Sequence, residues 1–327
     1  MTLSSNIYSL LTDKKILLAF SGGIDSTALF FLLNEHGIKC DLAIVDYGIR
    51  EQSKDEVAYA KELASIYNIK CFTTTAPKFE SHFEQNARNF RYEFFEDIIN
   101  KEGYEILLTA HQLNDNLEWL LMRLCKGAGV SELVGLNEIT KKKNYLLVRP
   151  LLDFTKDELL EYLKTNNHKY FIDQTNSDEG YERNYFRVNY SDKLIKKYEN
   201  GIKKSFKYLN ADILLLKSKY EIIFEQKELK VAKLEDLNYM TKTVDLILKE
   251  LGYLMSSKQR EEIQENKNVV IGGLWAIGLS NNILFIAPHR KVVLPKEFKE
   301  MCRINNIPPL VRGYIYDESI DTIGFKV

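Results

Sequence analysis

The sequence predicts an α/β protein in which a parallel sheet with helices on both faces is followed by a smaller α+β domain. In the first half of the chain, short apolar runs alternate with segments of helical period, and continuous apolar runs are typical of parallel strands buried on both faces. After about residue 190 this alternation ends, and the 327 residues exceed what one hydrophobic core usually organises. We therefore assign residues 1–190 to the first domain, residues 191–220 to a helical linker and residues 221–327 to a small second domain.

Five apolar runs predict the strands of the first domain, and a helical pattern follows each of the first four. The segment after the fifth run, Phe154–Lys164, has the pattern of an amphipathic helix, with Thr155 as its expected N-cap and Glu158 three residues later. The five runs are KILLAF at 15–20, CDLAIV at 40–45, KCFTTT at 70–75, EILLTA at 105–110 and YLLV at 145–148.

The linker and the second domain do not show the strand–helix alternation of the first domain. Long helical patterns rich in lysine and leucine fill the linker. Beyond it, Leu234–Leu251 and Ser257–Glu265 predict helices, and residues 268–288 predict strands joined by turns at the Gly-Gly pair 272–273 and the Asn-Asn pair 281–282. Helices and strands therefore both contribute to the second domain.

Charge, cysteine content and hydropathy restrict the function classes. The chain has 45 basic and 46 acidic residues, so it does not attract nucleic acid as a whole, and any RNA contact must be local. Its four cysteines lie far apart without a C-x-x-C pair, which fits thiols in a reducing cytosol better than a metal or redox site. No apolar run approaches the roughly 20 residues of a membrane-spanning helix, and the N-terminus lacks a signal-peptide pattern. We expect a cytoplasmic protein without a membrane partner.

Two lysine-rich patches are candidates for local RNA contact, although solvated loop and helix faces explain each of them equally well. The first patch is Lys141, Lys142 and Lys143, and the second lies in the predicted linker. The lysines of the second patch are Lys193, Lys196, Lys197, Lys203, Lys204 and Lys207.

The strongest motif is SGGIDS at residues 21–26, which lies between the first predicted strand and the helical pattern Thr27–Leu33. Two adjacent glycines let the backbone turn tightly and bring its N–H groups close to an anion, and the helix N-terminus adds its dipole. Ser21 and Ser26 supply hydroxyl donors, and Asp25 supplies a carboxylate that can hold Mg²⁺ against phosphate. The pattern favours a phosphate-binding loop over a glycine turn capped by serine or aspartate.

SGGIDS is neither the P-loop of kinases and GTPases nor a dinucleotide fingerprint. It resembles the pyrophosphate loop of the ATP-pyrophosphatase (PP-loop) family, whose fold is adenine nucleotide alpha-hydrolase-like. The resemblance implies cleavage of ATP between its α and β phosphates and transfer of AMP to a substrate oxygen. The family includes NAD, GMP and argininosuccinate synthetases, tRNA thiolases and lysidine synthases, and the loop alone does not choose among them.

Two further segments extend the resemblance. IVDYGIR at 44–50 resembles the D-H-G-L-R segment of strand two, with Tyr47 where histidine is usual, and it implies that Asp46 faces the ATP site. NARNFRY at 86–92 resembles the A-R-x-x-R-Y stretch of lysidine synthases. We expect Arg91 to contact the ATP phosphates or the reacting base, whereas a surface salt bridge explains Arg88 equally well.

A third segment carries a pair of carboxylates. AHQLNDNLE at 110–118, followed by LMRLCKGAG at 121–129, resembles the signatures A-H-H-x-D-D-Q-x-E-T and L-M-R-x-x-R-G. Asp115 and Glu118 share a helical face, and the resemblance assigns these positions to lysine recognition. His111 is expected to contact nucleotide or phosphate, with a capping or core histidine as the alternative. The sequence departs from the signature at Gln112, Asn114 and Trp119.

The fourth group of segments follows in the order found in lysidine synthases. RPLL at 149–152, DQTN at 173–176 and RNYFR at 183–187 resemble the stations R-P-L-L, D-x-S-N and R-N-x-x-R. We expect Arg183 and Arg187 to meet RNA phosphate or the flipped anticodon base, and Asn184 to bond nearby backbone. An Asx-type turn explains residues 173–176 equally well.

Together these segments resemble the tRNA(Ile)-lysidine synthase family. The resemblance implies ATP-dependent ligation of L-lysine to carbon two of the wobble cytidine of tRNA(Ile) with a CAU anticodon. The reaction would pass through an adenylated tRNA, would require Mg²⁺ held by Asp25 and Asp46, and would change the codon read from AUG to AUA. The expected catalytic residues are Asp25, Arg91, Asp115 and Glu118; the expected ATP-binding residues are Ser21, Gly22, Gly23, Ile24, Asp25, Ser26, Asp46 and His111; and the expected substrate-binding residues are Asp115, Glu118, Arg183, Asn184 and Arg187.

Other functions remain open at this level. A tRNA thiolase would share the ATP loop, but thiolases usually need paired cysteines or an iron–sulfur cluster. An amide-forming synthetase fits the RNYFR segment less well, and a non-catalytic RNA-binding protein is kept open by Asn114 and Trp119. The second domain resembles more weakly the tRNA-binding region of lysidine synthases, and its segment 295–316 fits an RNA contact or a packing edge equally well. The sequence leaves the oligomeric state open, a homodimer included.

Overall fold

The computed structural model describes residues 1–48, 52–79, 81, 83–172 and 182–321. The chain divides into two compact units, the first formed by residues 1–119 and 136–203 and the second by residues 120–135 and 204–327. A mostly parallel sheet with helices in the first unit and a separate antiparallel sheet in the second confirm the predicted fold class.

The first unit is built on a six-stranded sheet with the order β3-β2-β1-β4-β6-β5. Five strands are parallel, and β5 runs antiparallel to β6 at one edge. All five predicted strands are confirmed, whereas β5 was not predicted. The bounds are β1 Ile16–Ala19, β2 Asp41–Asp46, β3 Cys71–Thr75, β4 Ile106–Leu108, β5 Ile139–Lys141 and β6 Leu146–Val148.

Helices cover both faces of this sheet. Leu17 and Leu18 of the central strand are both fully buried, but they belong to different apolar clusters because successive strand residues point to opposite faces. The helices up to residue 217 are α1 Ser5–Leu11, α2 Ile24–Glu35, α3 Gln52–Tyr67, α4 Phe83–Glu102, α5 Leu113–Cys125, α6 Val130–Leu133, α7 Lys156–Thr165, α8 Glu182–Phe186 and α9 Asp192–Lys217, with a π-helical turn at Arg187–Ser191.

Helix α7 begins as its sequence predicts. Thr155 Oγ1 accepts a hydrogen bond from Glu158 N at 3.1 Å, and Glu158 Oε2 accepts one from Thr155 N at 2.6 Å. This reciprocal pair satisfies two N–H groups that the helix cannot satisfy itself. The start of α7 is therefore fixed beside the residues that follow β4.

The second unit contains a five-stranded antiparallel sheet with the order β7-β8-β11-β10-β9 and apolar clusters on both of its faces. Asn281 and Asn282 both have positive φ, 48° and 62°, as a two-residue hairpin turn requires. The elements are β7 Tyr220–Gln226, β8 Leu229–Leu234, α10 Met240–Glu250, α11 Ser257–Glu265, β9 Val269–Ile271, β10 Trp275–Ser280, β11 Ile283–Pro288, α12 Lys296–Ile304 and α13 Arg312–Asp317.

Two details of the second unit differ from the prediction. Strands β7 and β8 were not predicted, and Leu234 ends β8 rather than beginning a helix, since α10 begins at Met240. The alternation of β7 is obscured because Ile222 and Ile223 are both exposed and the register shifts between Ile222 and Phe224. In the described part of the chain, no helix combines the length and apolar character needed to span a membrane.

Candidate active site

The SGGIDS segment forms the turn between β1 and α2. Gly22 has a φ of +73°, which L side chains rarely adopt, and a Cβ placed on it would lie 3.3 Å from Phe171 Cδ2. Phe171 N also donates a hydrogen bond to Gly22 O at 2.9 Å. Glycine is therefore required at position 22 by both conformation and space.

The two serines of this loop hold its shape. Ser26 Oγ accepts a hydrogen bond from Ser21 N at 3.2 Å and lies 3.1 Å from Ser21 Oγ. Gly23 is the N-cap of α2, and within the described residues no side chain caps it, so the first N–H groups of the helix are open to an anion. The loop has the backbone geometry of a phosphate cradle.

Asp25 lies in the first turn of α2 and faces inward. Its Oδ1 atom is buried without a hydrogen-bond partner among the described residues. Burial, and after it the negative charge of Asp115, raises the pKa of Asp25 to about 7. Buried carboxylates are normally paired, so this oxygen fits a ligand that brings positive charge or a donor.

Four side chains from α5 and from the segment 183–187 form a buried ion cluster. Arg183 Nη2 lies 2.5 Å from Asp115 Oδ1, and Arg183 Nε lies 2.8 Å from Glu118 Oε2. Arg187 donates to both oxygens of Glu118, from Nε at 2.7 Å and from Nη2 at 3.0 Å. Two carboxylates and two guanidiniums thus neutralise one another.

The burial of the cluster is uneven and is greatest at Glu118. The side chain of Glu118 is 0% exposed, while that of Arg183 is 40% exposed. Burial alone would raise the pKa of Asp115, but the charge of Arg183, helped by the hydrogen bond from Gln112 N and by Arg187, outweighs burial and holds the pKa below its ordinary value. Both arginines keep their charge, because the two carboxylates raise their pKa against the effect of burial. Removing one member would leave its partner buried and unpaired.

The arginines reach the cluster through an irregular helix. Arg187 begins the π-helical turn, a feature that often marks functional sites, and its Nη1 donates to Asn184 Oδ1 at 3.4 Å. The structure brings Asp115, Glu118, Arg183 and Arg187 together. The sequence predicted carboxylates facing lysine and arginines facing RNA, and it did not predict that these side chains pair with each other. Their contacts with substrate stay predictions.

Asn114 connects three segments around the start of α5. Its Nδ2 donates to Asp192 Oδ1 at 2.8 Å, its Oδ1 accepts from Lys156 N at 3.2 Å, and its main-chain oxygen accepts from Ser191 Oγ at 3.3 Å. Gln112 Oε1 accepts from Asn114 N at 2.6 Å. Two departures from the family signature, Gln112 and Asn114, thus have structural partners here, and sequence reasoning missed Lys156 and Asp192 because they are distant along the chain.

His111 is enclosed between the loop after β4 and charged neighbours. Its Nδ1 lies 3.0 Å from Thr109 Oγ1. Burial lowers the pKa of His111 to about 3, against the opposing effect of Asp115 and together with Arg149 and other arginines that include Arg88. The imidazole is therefore neutral at physiological pH and can donate or accept one hydrogen bond.

The remaining predicted residues are Asp46, which ends β2, and Arg91, which lies on α4. Asp46 Oδ1 accepts a hydrogen bond from Gly48 N at 2.8 Å. Tyr47 Oη donates a hydrogen bond to Ala87 O at 3.3 Å. Burial raises the pKa of Tyr47 against the opposing effect of nearby Arg91. Arg91 thus lies close to the residue that replaces the usual histidine. Arg50 and residues 173–176, also part of the motifs, lie outside the described residues.

Comparisons with known proteins identify relatives over nearly the whole chain. A profile described as PP-loop domain matches residues 2–194. The tRNA(Ile)-lysidine synthase of Campylobacter jejuni is 42% identical over 325 residues, covering 98% of this chain and 98% of the relative. The chain belongs to the tRNA(Ile)-lysidine synthase family. A further member, from Wolinella succinogenes, is 43% identical and covers 96% of each chain.

Membership of the tRNA(Ile)-lysidine synthase family confirms the resemblance found in the sequence and the expectation of an enzyme with an ATP-binding PP-loop domain. The family assignment also sets aside the thiolase and amide-synthetase alternatives. Among solved structures, the U34-tRNA thiolase from Methanococcus maripaludis matches 64% of this chain and 74% of its own, with 19% identity and a TM-score of 0.48.

Proposed function

We propose that this enzyme ligates L-lysine to carbon two of the wobble cytidine in tRNA(Ile) with a CAU anticodon, and that it converts ATP to AMP and pyrophosphate. One observation carries the proposal: Asp25 of the phosphate loop lies close enough to Asp115 and Glu118 that, after burial, their charges raise its pKa. The phosphate loop and the paired carboxylates therefore belong to one site, as a reaction joining ATP chemistry to a cationic amino acid requires. The identity of the RNA substrate is inferred from the names of the relatives, which are tRNA(Ile)-lysidine synthases.

ATP occupies the turn between β1 and α2 in this proposal. The N–H groups of Gly22, Gly23 and Ile24 and the hydroxyls of Ser21 and Ser26 bind its phosphates. The positive end of α2 favours their negative charge. His111, being neutral, serves as a hydrogen-bond partner for the nucleotide. Arg91 would turn from the Tyr47 hydroxyl to a phosphate or to the reacting base.

Mg²⁺ fits this site because Asp25 offers a buried carboxylate oxygen that has no partner among the described residues. No group of three acidic, histidine or cysteine side chains in the described ranges converges on a metal position. Asp25 with Asp46 would therefore supply one or two ligands, and phosphate and water the rest, as is usual for Mg²⁺ with nucleotides. When bound, Mg²⁺ would offset negative charge on the phosphates.

In the first step, the carbonyl oxygen at carbon two of the cytidine attacks the α-phosphorus of ATP, and pyrophosphate leaves. The product is an adenylated tRNA in which AMP is a leaving group. The cytidine must leave its loop stack to reach Asp25, and an RNA loop allows this at low cost. The partly exposed Arg183 and its neighbour Arg187 are positioned to contact the base or its phosphate as it enters.

In the second step, the ε-amine of lysine attacks carbon two, the new C–N bond forms, and the C–O bond to AMP breaks. Asp115 and Glu118 hold the lysine ammonium by charge. The amine must release one proton before it attacks, and a carboxylate of the site accepts it. The modified base then pairs with adenine, which changes the codon read from AUG to AUA.

The test is transfer of radiolabelled lysine to an unmodified tRNA(Ile) transcript with a CAU anticodon, with and without ATP. We expect strictly ATP-dependent incorporation that is lost in Asp115→Asn, whereas Glu161→Gln on an exposed part of α7 transfers lysine normally. Pyrophosphate release without lysine should survive in Asp115→Asn, because the phosphate loop is intact. Incorporation without ATP, or undiminished transfer by Asp115→Asn, would contradict the proposed roles.

A further inference from the structure

Exposed aromatic rings lie within and directly after the helical segment that carries Arg183 and Arg187. Tyr185 and Tyr190 are each 43% exposed. Together with Phe186 they form a contacting group, with ring centroids 6.0, 5.8 and 5.7 Å apart. Large rings that hold one another in place while keeping much of their surface in water are the kind of platform on which unpaired bases stack.

Exposed cations follow directly at the start of α9. Lys193, Lys196 and Lys197 are all exposed, and none has an ion pair among the residues that the structure describes. Tyr198, 52% exposed, carries the Lys197 ammonium 5.2 Å above its ring. We call Tyr185, Tyr190, Lys193, Lys196, Lys197 and Tyr198 the tyrosine–lysine strip.

Two of the acidic groups near the strip have their own partners. Asp192 Oδ1 accepts the hydrogen bond from Asn114, and Glu199 pairs with Lys203 at 2.6 Å. Within fourteen residues, from 185 to 198, the strip thus presents two rings, then three lysines, then a third ring. A plain solvated helix face usually alternates both signs of charge instead.

A cavity of about 310 Å³ adjoins the strip, between the start of α7 and the start of α9. Its lining includes three lysines, Lys156, Lys193 and Lys196, two aspartates, Asp157 and Asp192, and the uncharged polar residues Asn114 and Thr155. The positive charge of Lys156 lowers the pKa of Asp25 against the dominant effect of burial, so the cavity lies close to the phosphate loop. An anionic group bound here would be a near neighbour of the reacting nucleotide.

We propose that the tyrosine–lysine strip binds the RNA strand that flanks the target cytidine. The rings of Tyr185 and Tyr190 stack on the neighbouring unpaired base, and the lysine-lined cavity takes a backbone phosphate. This combination of stacking and phosphate contact is how proteins hold single-stranded RNA. The inference rests on the proposed function, because it takes the RNA loop as the substrate.

The aromatic half of the strip is tested with an anticodon stem-loop that carries 2-aminopurine in place of the adenine after the target cytidine. Stacking on a tyrosine quenches this fluorescent base, so binding to the unmodified enzyme should quench it. Tyr185→Leu with Tyr190→Leu should abolish the quenching and weaken RNA binding about tenfold or more for each stacked ring. The corresponding Tyr→Phe pair should keep both properties.

Tyr208→Leu is the matched control, since Tyr208 lies on α9, which also carries the lysines of the strip, and is 68% exposed but is not part of the strip. It should leave quenching and affinity unchanged. Normal quenching and affinity in the double leucine variant, or equal losses in Tyr208→Leu, would overturn the stacking assignment.

The lysine half is tested through the salt dependence of RNA binding. Lys193→Gln with Lys196→Gln should lower the slope of log affinity against log salt by about 0.7 for each lost phosphate contact. Lys164→Gln, an exposed lysine at the far end of α7, should not change the slope. If the double glutamine variant keeps the wild-type slope but binds ATP more weakly without RNA, the cavity serves the nucleotide phosphates and the RNA assignment is wrong.

These binding assays separate the strip from the catalytic proposal. A wild-type enzyme that fails to transfer lysine but whose strip variants lose RNA binding would refute the reaction while keeping the surface. Normal lysine transfer by the wild type, together with unaltered RNA binding in the strip variants, would refute the surface while keeping the reaction.

Discussion

Asn114 offers the sharpest test of how this site is assembled, because an aspartate occupies the matching position of the family signature. Replacing Asn114 with aspartate would put a second carboxylate 2.8 Å from Asp192, where an amide now donates a hydrogen bond. Coulomb's law gives about 6 kcal/mol for two unit charges at that distance with an effective dielectric constant of about 20. Side-chain movement and sharing of one proton reduce the cost, so we expect Asn114→Asp to lose about 2–4 kcal/mol of unfolding free energy.

The reciprocal change should repair the damage. In Asn114→Asp with Asp192→Asn, the amide donates from position 192, and the new carboxylate accepts from it and from Lys156 N. The double variant should recover most of the lost stability and of kcat/KM for lysine transfer, whereas Asp192→Asn alone keeps a neutral hydrogen bond and should change little. A double-mutant cycle by chemical denaturation measures the coupling.

The dependence on pH gives an independent check. Two adjacent carboxylates bind a shared proton more tightly in the folded chain, so the pKa of the pair is raised and the penalty of Asn114→Asp should shrink as pH falls toward 5. Full stability of Asn114→Asp at pH 8, or a double variant no more stable than the single one, would refute the role assigned to the hydrogen bond between Asn114 and Asp192.

Two further outcomes follow from buried charge. Asp25 has a folded-state pKa of about 7 against 3.8 in the unfolded chain, so its ionisation lowers the stability of the fold as pH rises through this range. Without nucleotide, Asp25→Asn should therefore be as stable as the wild type near pH 4 and more stable by up to about 4 kcal/mol near pH 8. A difference in the denaturation curves that does not change with pH would contradict this prediction. In the second unit, fully buried Glu132 contacts Arg123 and Arg260, and Arg260 lies 3.1 Å from Asp245. Glu132→Gln should lower the free energy of unfolding by about 3–5 kcal/mol, because it leaves buried guanidiniums without their partner. As a control, Glu300→Gln breaks only the exposed pair with Arg303 and should leave the melting temperature unchanged.

The sequence predicted those parts of the fold whose pattern is local. Strands β1, β2 and β4 were recognised because both of their faces are largely buried, which makes them nearly continuous apolar runs. Strand β5 was missed because it has only three residues, pairs on one side and exposes Ile139. Strand β7 was missed because exposed isoleucines and a register shift hide its alternation.

The candidate site shows the same division between local and distant features. The loop from Ser21 to Ser26 could be predicted because one short segment supplies its glycines, hydroxyls and helix start. The pairing of Arg183 with Glu118 joins positions 65 apart in the sequence, and the bond from Asn114 to Asp192 joins positions 78 apart. Arg183, Glu118 and Asn114 were recognised as motif members or as a departure from a motif, whereas Asp192 was not. The spacing of residues in a sequence does not show which side chains meet after folding.

In the proposed function, the guanidiniums that cover Asp115 and Glu118 affect how the enzyme selects lysine. Because Arg183 and Arg187 already pair with these carboxylates, an incoming ammonium has to compete with the two guanidiniums and displace them. The unliganded chain then avoids an uncompensated buried charge, and affinity reflects the difference between two cations. Free guanidinium ion in solution should accordingly act as a competitive inhibitor toward lysine, and its potency would report how firmly Arg183 is held.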